Sequence, residues 1–503
     1  MKTNFLLWID YHFLHFGIAK CLQEKSTCDI SAIISVNDNI KKFFRNQKMV
    51  KFQKVWYYDD NKNITPNLEY LKSVEIKYNL NLWEIAFVDR TFYSKYNKYY
   101  QFQHNEILSL IEHVCRFFEE ILKEIKPDFV LMHAITSYHH YLFYKICKYN
   151  QIKVLTLEPV RFGDRWMISK GVYNQDETKR RLYKSASNRT SEELQNYLKS
   201  HKPAKFFFDE SFDNYKVSKW EKFKAVMKFP FISNLESQVN QYTNYGRTKL
   251  KIFTKGTAKA HLLKTKLRGS FIDKNFTREI DEKISFFYFP LHEEPEKTVL
   301  MGAPYYTDQL AVITNIAKSI PVGYRLYVKE HPVMKRDGWR SKSFYKQIMD
   351  LPNVTLLHPS LKQEDLIKKC SLVITIRGTA AIEAVIYQKP AIVFAADYGW
   401  SFIPSIHIIK QIEELPQAMR SSLQKNVSPS DLNEYMNFIE NESFEYPHHK
   451  YSMDVVNRFK YNIGYLKSVN ISESEIIKFL EENKQLFEHI TKEYLRKTTS
   501  KEE

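Results

Sequence analysis

The sequence is poor in several features that would place it in a familiar class. Its 503 residues include only 12 glycines and five cysteines, and the cysteines, at positions 21, 28, 115, 147 and 370, form no CxxC pair. An odd, scattered set argues against a disulfide framework and a zinc site, and predicts a reduced, cytoplasmic protein. No apolar run approaches the roughly 18 residues needed to span a bilayer.

Common catalytic and nucleotide-binding motifs are also missing. The chain contains no GxGxxG, Walker A, HExxH or GxSxG pattern, and no DxD pair to hold a metal beside a sugar nucleotide. We therefore expect no metal and no other cofactor.

The amino terminus and the net charge exclude fewer classes of protein than the missing motifs do. The start, MKTNFLLWID, has one lysine and a short apolar run that ends at Asp10 without a small-residue cleavage site, so it predicts a core strand and not a signal peptide. The net charge of +17 suits an anionic partner such as a nucleotide, lipid headgroups or nucleic acid. The same excess of lysine fits the codon bias of an AT-rich genome equally well.

The amino-terminal part alternates short apolar runs with helical patterns, which predicts a parallel sheet covered by helices. Helices are predicted up to Gln23, over 105–125 and over 137–149. The predicted strands are 5–9, 30–35, 55–58, 84–89, 128–133 and 153–159. We interpret residues 1–175 as one Rossmann-like domain.

The rhythm stops in the lysine-rich segment 176–280 and then resumes. We interpret 176–280 as a basic helical connector, whose charge more simply reflects a solvated surface than a binding patch. Strands predicted at 284–290, 325–329, 353–358, 372–376 and 391–395 alternate with helices and define a second Rossmann-like domain, 281–420. Residues 421–503 look helical, so the predicted fold class is α/β with two Rossmann-like domains, a helical connector and a helical carboxyl-terminal segment.

Polar clusters in the second domain follow the ends of predicted strands. Such ends meet at one edge of a parallel sheet, where ligands bind. The rim residues are His292 and Glu296 in PLHEEPE, Lys329 and His331 in KEHP, and Arg377, Gly378 and Thr379 in RGT.

These side chains suit a nucleotide. Lys329 and His331 are placed to contact a phosphate, and His331 would stabilise charge on a departing phosphate oxygen. The start of a helix near Thr379 offers free N–H groups to an anion. Glu383, one turn later, is positioned to accept hydrogen bonds from ribose hydroxyls, although an ordinary capped helix with an exposed glutamate explains the same pattern.

Longer stretches carry a family resemblance. FPLHEEPEKT, LYVKEHP, GWRSKSFYKQIMDLPNVTLLHP and ITIRGTAAIEAVIYQKPAIVF, within 284–395, resemble the capsule polysaccharide biosynthesis family, relatives of the capsular Kdo transferases and similar to GT-B glycosyltransferases. KPDFVL and EPVRFGDRW, within 127–170, resemble the first-domain pattern more weakly. The segment 176–280 and the carboxyl-terminal tail match no family that we can name.

The resemblance implies a nucleotide-sugar donor in the second domain and a glycan or glycolipid acceptor in the first. Related sialyltransferases carry a similar His-Pro element at the CMP phosphate, which favours a CMP-sugar. Arg377 departs from the pattern, because a small or hydroxylated residue is expected there. An extra cation would favour a diphosphate donor.

Candidates for the catalytic base lie in the first domain. Asp10, Asp89 and Glu158 end predicted strands and Asp164 lies in the next loop, and each is equally readable as a cap or an ion-pair partner. We rank Asp10 first, since its strand is expected near the middle of the sheet with His12 close by. For the acceptor, we name Arg161, Asp164 and Arg165, although the arginines also suit pairing with Glu158 and Asp164.

Together these observations predict a metal-independent, inverting GT-B-type glycosyltransferase of surface polysaccharide biosynthesis. Asp10 or Glu158 and His331 would carry the chemistry. We expect a cytoplasmic protein in peripheral contact with the anionic inner membrane and with other capsule-assembly proteins, and no nucleic-acid partner. The alternatives are a transferase of CDP-activated glycerol or polyol phosphate, and a non-catalytic polysaccharide-binding assembly protein.

Overall fold

The computed structural model describes most of both predicted domains. The described residues are 2–36, 38–58, 65–93, 101–160, 162–171, 189–190, 192–193, 196, 251–294, 296–335, 338–396, 399–459 and 472–499. Most of the predicted connector, 176–250, therefore lies outside them.

The first domain is built on a sheet of seven strands within the described residues. They are β1 (Thr3–Asp10), β2 (Cys28–Ser35), β3 (Val55–Tyr57), β4 (Phe129–His133), β5 (Lys153–Pro159), β6 (Arg165–Ser169) and β13 (Ser443–Glu445). Their order is β3-β2-β1-β4-β5-β6-β13, with parallel pairing from β3 to β5 and antiparallel pairing of β6 with both neighbours. The order 3-2-1-4-5 is that of a Rossmann fold.

Helices cover both faces of this sheet. They are α1 (Leu14–Lys25), α2 (Asp38–Asn46), α3 (Leu68–Tyr78), α4 (Leu82–Phe87), α5 (His104–Ile125) and α6 (Tyr138–Tyr149). Strand β1 shows the double layer, because Phe5, Leu7 and Ile9 join one buried cluster while Leu6 and Trp8 join the other. Each such side chain contributes about 1.5–3 kcal/mol when fully buried.

The predicted strand at 84–89 is wrong. The side chain of Asn81 accepts hydrogen bonds from the N–H groups of Trp83 and Glu84 and so begins helix α4. Leu82, Ile85 and Ala86 then share the buried face, which is helical spacing. A short apolar run fits either structure, and the asparagine cap decides for the helix.

The second domain has a sheet of six strands in the described part of the chain, all parallel. They are β7 (Ser285–Pro290), β8 (Tyr324–Lys329), β9 (Val354–Leu357), β10 (Leu372–Thr375), β11 (Ala391–Val393) and β12 (Ile406–Ile408). Their order, β12-β11-β10-β7-β8-β9, is the complete Rossmann order. The predicted fold class, α/β with two Rossmann-like domains, is confirmed.

The second sheet is also covered on both faces. The helices are α7 (Lys251–Asn275), α8 (Lys297–Gly302), α9 (Gln309–Ser319), α10 (Lys342–Met349), α11 (Gln363–Lys369), α12 (Ala380–Ile386), α13 (Leu415–Leu423) and α14 (Asn433–Glu442). Short 3-10 helices lie at Pro304–Tyr306, Pro332–Lys335, Trp400–Phe402, Ile412–Glu414 and Pro429–Leu432. The end of α7, assigned above to the connector, belongs to this domain, because Ile272 and Phe276 lie in its core.

The carboxyl-terminal segment is divided between the domains. Helix α14 packs on the second domain through Tyr435, Met436 and Ile439. Strand β13 then joins the first sheet, and it is followed by α15 (His448–Phe459), α16 (Glu473–Glu482) and α17 (Lys484–Thr499). These last helices bury apolar side chains in the first-domain core. The segment 421–503 is therefore not a separate unit.

Candidate active site

The carboxyl edge of the second sheet brings the predicted rim residues together. Strand β7 lies between β8 and β10, so the loops after these three strands are neighbours. The crossovers from β7 and β10 run to opposite sides of the sheet, which makes their carboxyl ends the switch point where ligands bind.

His292 ties two of these loops together. Its Nδ1 lies 3.0 Å from Glu296 Oε2, and its Nε2 accepts a hydrogen bond from the backbone N–H of Arg377 at 3.3 Å. The same Nε2 lies 3.1 Å from Thr375 Oγ1. These contacts assign the proton to Nδ1, and they make both His292 and Glu296 positioning residues for the loop after β10.

A buried ionic network supports the KEHP loop. Glu330 is fully buried and accepts hydrogen bonds from Arg340 Nε at 3.0 Å and from the Tyr345 hydroxyl at 2.6 Å. Arg340 also donates to Glu294 at 2.6 Å and to the carbonyl of His292. Burial opposes the charge on Arg340, but the two carboxylates outweigh it and raise the pKa of the guanidinium. No local pattern in the sequence predicts this network, because Glu294 and Arg340 are 46 residues apart in the chain.

Lys329 is a buried cation at the end of β8. Its residue is 6% exposed, and no carboxylate among the described residues forms an ion pair with its ammonium group. Burial lowers the pKa of Lys329 to about 8, although the charge of Glu383 counteracts the shift.

Glu383 lies across from Lys329, on helix α12. Its carboxylate accepts hydrogen bonds from Gln363 Nε2, at 3.1 and 3.0 Å, and from the Thr379 hydroxyl at 3.3 Å. Thr379 is thus the residue before the helix, as predicted, but its side chain makes no cap hydrogen bond. Helix α12 has seven residues, and the binding of an anion at its amino terminus stays a prediction.

His331 follows Lys329 and is half-buried. Burial lowers the pKa of His331 to about 4, and the nearby His292, Lys329 and Arg340 act in the same direction against Glu296. Its Nδ1 accepts a hydrogen bond from the backbone N–H of Val333 at 3.4 Å. His331 is therefore neutral at pH 7, and the hydrogen bond from Val333 assigns its proton to Nε2. Its role at a phosphate stays a prediction.

The turn after β10 is unusually tight. A Cβ on Gly378 would lie 2.6 Å from Thr375 Oγ1, so glycine is needed for this approach. The Arg377 side chain is fully buried and packs against Gly302 of α8. In this structure its guanidinium is not exposed on the rim, and its role at a diphosphate remains a prediction.

The first-domain candidates divide by environment. Asp10 is half-buried at the end of β1, which is internal to its sheet, and accepts the backbone N–H of His12 at 2.9 Å. Asp89, which follows a helix and not a strand, is buried and binds the backbone N–H groups of Thr91 and Tyr138 at 2.8 and 3.1 Å. Asp89 is therefore a structural cap for helix α6.

The remaining candidates surround strand β6. Glu158 is buried within β5 opposite Met167, and Asp164 is half-buried with its pKa raised by burial. Arg165 donates two hydrogen bonds of 2.8 Å to Ser443 and so fastens β13 to β6. Arg161 lies outside the described residues. The assignment of these residues to an acceptor stays a prediction.

No group of His, Cys, Asp and Glu side chains in the described part of the chain is arranged to hold a metal ion. Nor is any helix described here both long and apolar enough to cross a membrane.

The sequence of the second domain matches a known family. Residues 231–399 match the model of the capsule polysaccharide biosynthesis protein family. This confirms the resemblance predicted above, over about a third of the chain. The match also covers 231–280, so the prediction that the segment 176–280 matches nothing is wrong for that part. No curated protein sequence matches the chain significantly.

Comparison with solved structures finds remote likenesses. The UDP-GlcNAc 2-epimerase of Methanocaldococcus jannaschii is 14% identical, over 88% of this chain and 99% of its own, with a TM-score of 0.25. The KpsC beta Kdo 2,4 transferase of Thermosulfurimonas dismutans is 12% identical, over 61% and 78%, with a TM-score of 0.31. A glycosyltransferase of Rickettsia africae is 12% identical, over 97% and 98%, with a TM-score of 0.25. At these values the likenesses carry no argument about the site.

Proposed function

We propose that the protein is a GT-B-type glycosyltransferase of capsule or surface polysaccharide biosynthesis, which transfers a sugar from a nucleotide donor to a glycan or glycolipid. The family match over the second domain supports the biological role. The chemical role is supported by the rim of the second sheet. A CMP-sugar is the favoured donor.

The observation that carries the proposal is the buried Lys329. A buried ammonium group without a carboxylate at ion-pair distance among the described residues is costly, and a phosphate would offset that cost. His331 lies beside it, neutral and donating from Nε2. The two groups suit a phosphate that gains negative charge as the sugar leaves, and this needs no metal.

The remaining roles follow from position. Glu383 suits the ribose hydroxyls, because its carboxylate lies close enough to Lys329 for its charge to act on the pKa of that ammonium group. In the first domain, Asp10 is the preferred base, with Glu158 next. Direct attack by an acceptor hydroxyl would invert the anomeric centre.

A nucleotide screen tests the donor assignment. We expect CMP to raise the melting temperature of the full chain more than CDP or UDP, and Lys329→Met to remove the shift. Preference for UDP would contradict the CMP-sugar, whereas CDP would favour transfer of a polyol phosphate. No shift with any nucleotide would contradict the enzyme and favour a polysaccharide-binding protein.

Two further measurements test the chemistry once a donor is found. Turnover should continue in the presence of EDTA. A loss of turnover that Mg²⁺ or Mn²⁺ restores would contradict a metal-free mechanism. The anomeric configuration of the product, read by NMR, should be opposite to that of the donor. Retention would exclude the direct displacement.

The proposal also places the protein at the cytoplasmic face of the inner membrane, with other capsule-assembly proteins as further partners. The surface of α7 supports a membrane contact, because Leu263 and Leu267 are more than half exposed beside the exposed Lys264 and Lys266. Flotation with anionic vesicles tests this contact. Binding should be lost in the double variant Leu263→Ser/Leu267→Ser, and equal binding to neutral vesicles would contradict it.

A further inference from the structure

Three histidines from distant parts of the chain meet at the carboxyl edge of the first sheet. His12 follows β1, His133 ends β4, and His448 begins α15. The ring centroids are 6.2 Å apart for His12 and His133, 5.7 Å for His133 and His448, and 6.4 Å for His12 and His448. All three residues are half-buried, and so is Asp10 beside them.

The position of this cluster is that of a ligand site. Strands β1 and β4 are neighbours in the order 3-2-1-4-5, and the chain leaves them towards opposite sides of the sheet. Their carboxyl ends therefore form the switch point of the first domain. The second domain uses the equivalent edge for Lys329 and His331.

The carboxyl-terminal segment completes the cluster. Hydrogen bonds from Arg165 hold β13 against β6, and the backbone N–H of Tyr446 donates to the carbonyl of Asp164 at 2.9 Å. The next turn places His448 against Trp166, with ring centroids 4.6 Å apart. The Tyr451 hydroxyl then donates to the carbonyl of His12 at 2.6 Å.

The charge of the cluster selects the kind of ligand. Burial lowers the pKa of His448 to about 3, helped by His12 and His449, so this ring is neutral at pH 7. A neutral imidazole has one donor and one acceptor nitrogen, and a sugar hydroxyl can pair with either. In His448, Nε2 lies 3.2 Å from the Ser452 hydroxyl, so Nδ1 is the nitrogen assigned to the sugar. The Asp10 carboxylate alongside repels carboxylates and phosphates, so the site next to the neutral His448 favours hydroxyl groups.

We infer that His12, His133 and His448, with Asp10, form the acceptor subsite and bind a neutral, hydroxyl-rich sugar unit. That the bound sugar is the acceptor rests on the proposed function, whereas the binding of the sugar does not. It also gives the carboxyl-terminal segment a role, since His448 comes from that segment. The hydroxyl to be glycosylated would lie next to Asp10.

The test uses the full chain and oligosaccharides from the capsule of the organism that carries this gene. Mild acid hydrolysis followed by anion exchange gives a neutral and an acidic pool, and calorimetry measures the binding of each. Phenylalanine keeps a ring against Trp166 but removes both nitrogens, so His448→Phe and His133→Phe are the variants of choice. His104→Phe is the matched control, because His104 also lies beside a tryptophan of this domain, Trp83, with centroids 5.0 Å apart.

We expect the neutral pool to bind, and each cluster variant to weaken it about tenfold, as the loss of one or two hydrogen bonds predicts. His104→Phe should bind as the unaltered protein does. Equal binding by all four proteins, binding of the acidic pool only, or no binding would overturn the inference. The melting temperature of each variant shows whether it is folded, and if His448→Phe is not, His12→Ala replaces it.

CMP separates this inference from the proposed function. If neither CMP nor CDP nor UDP binds while His448→Phe loses the neutral pool, the transferase proposal fails and the sugar site stands. If CMP binds and the cluster variants bind the neutral pool normally, the sugar site fails and the donor site stands.

Discussion

At the scale of single residues, the rim of the second sheet, which is the proposed donor site, contains two kinds of side chain with different expected kinetics. His331 would contact charge that grows as the bond to the sugar breaks, whereas Glu383 would contact a ribose that does not change. Interactions made only in the transition state affect kcat, and those made equally in both states affect KM.

We therefore expect His331→Ala to lower kcat about 10- to 100-fold, because a hydrogen bond to a charged group is worth about 1.5–3 kcal/mol. Glu383→Ala should mainly raise the KM for the donor. Steady-state kinetics with varied donor measure both. If His331→Ala leaves both kcat and KM unchanged, the KEHP segment has no part in the reaction and serves only to end strand β8.

Lys329 should make nucleotide binding depend on pH. Its pKa of about 8 means that the ammonium group is charged at pH 7 and loses its proton as the pH rises through 8. A bound phosphate holds the proton on, so affinity for CMP should fall above pH 8, by up to about tenfold per pH unit.

Calorimetry from pH 7 to 9 measures this, and Lys329→Arg should abolish the fall because arginine stays charged. Lys335→Arg is the matched control, since Lys335 is exposed in the same loop, and it should keep the fall. If the affinity of Lys329→Arg for CMP falls in the same way, the group that titrates is not Lys329.

At the scale of secondary-structure elements, the donor loops depend on the buried pair Glu330 and Arg340. Arg340→Met would leave the fully buried carboxylate of Glu330 without its cation, which costs about 3–5 kcal/mol. We expect a clearly lower melting temperature. Arg278→Met is the control, because the Arg278–Asp273 pair is exposed and such pairs are worth about 0–1 kcal/mol.

The double variant Glu330→Gln/Arg340→Met should recover part of the loss, because a neutral amide is cheaper to bury than a carboxylate. Equal melting temperatures for Arg340→Met and Arg278→Met would show that the network does not stabilise the loops.

At the scale of the whole molecule, the return of the carboxyl-terminal segment to the first domain depends on a close contact between α1 and α17. A Cβ on Gly17 would lie 2.4–2.6 Å from the ring of Phe487. Gly17→Ala should therefore destabilise the protein by about 1–3 kcal/mol, although alanine inside a helix is ordinarily about 1 kcal/mol better than glycine.

Gly269→Ala is the matched control, because it lies within helix α7 and its Cβ would meet nothing closer than 3.4 Å. It should leave the melting temperature unchanged or raise it. Phe487→Leu in the Gly17→Ala background should restore part of the loss. A higher melting temperature for Gly17→Ala would contradict the close packing of α17.

Local sequence determined the helices and strands. Its predictions were best where the apolar pattern is long or where particular residues mark its ends. Strand β5 was predicted at 153–159 as observed, and α5 was predicted within a residue because Lys126-Pro127 ends it. The prediction of a strand at 84–89 was wrong because six residues are too few to distinguish the strand period from the helix period. The asparagine cap favours the helix. Strands β6 and β13 were missed, since each is short. Strand β6 pairs with the preceding β5, whereas β13 pairs only with β6, far away in the chain.

The candidate site divides in the same way. The sequence by itself determined that Lys329, His331 and Arg377 follow strands, because the carboxyl ends of parallel strands share one edge. Only the tertiary structure decided that Arg377 turns inward against Gly302 while Lys329 lies buried at the rim. It alone brought Arg340 to Glu330 and His448 to His133, because contacts between residues far apart in the chain leave no local period to read.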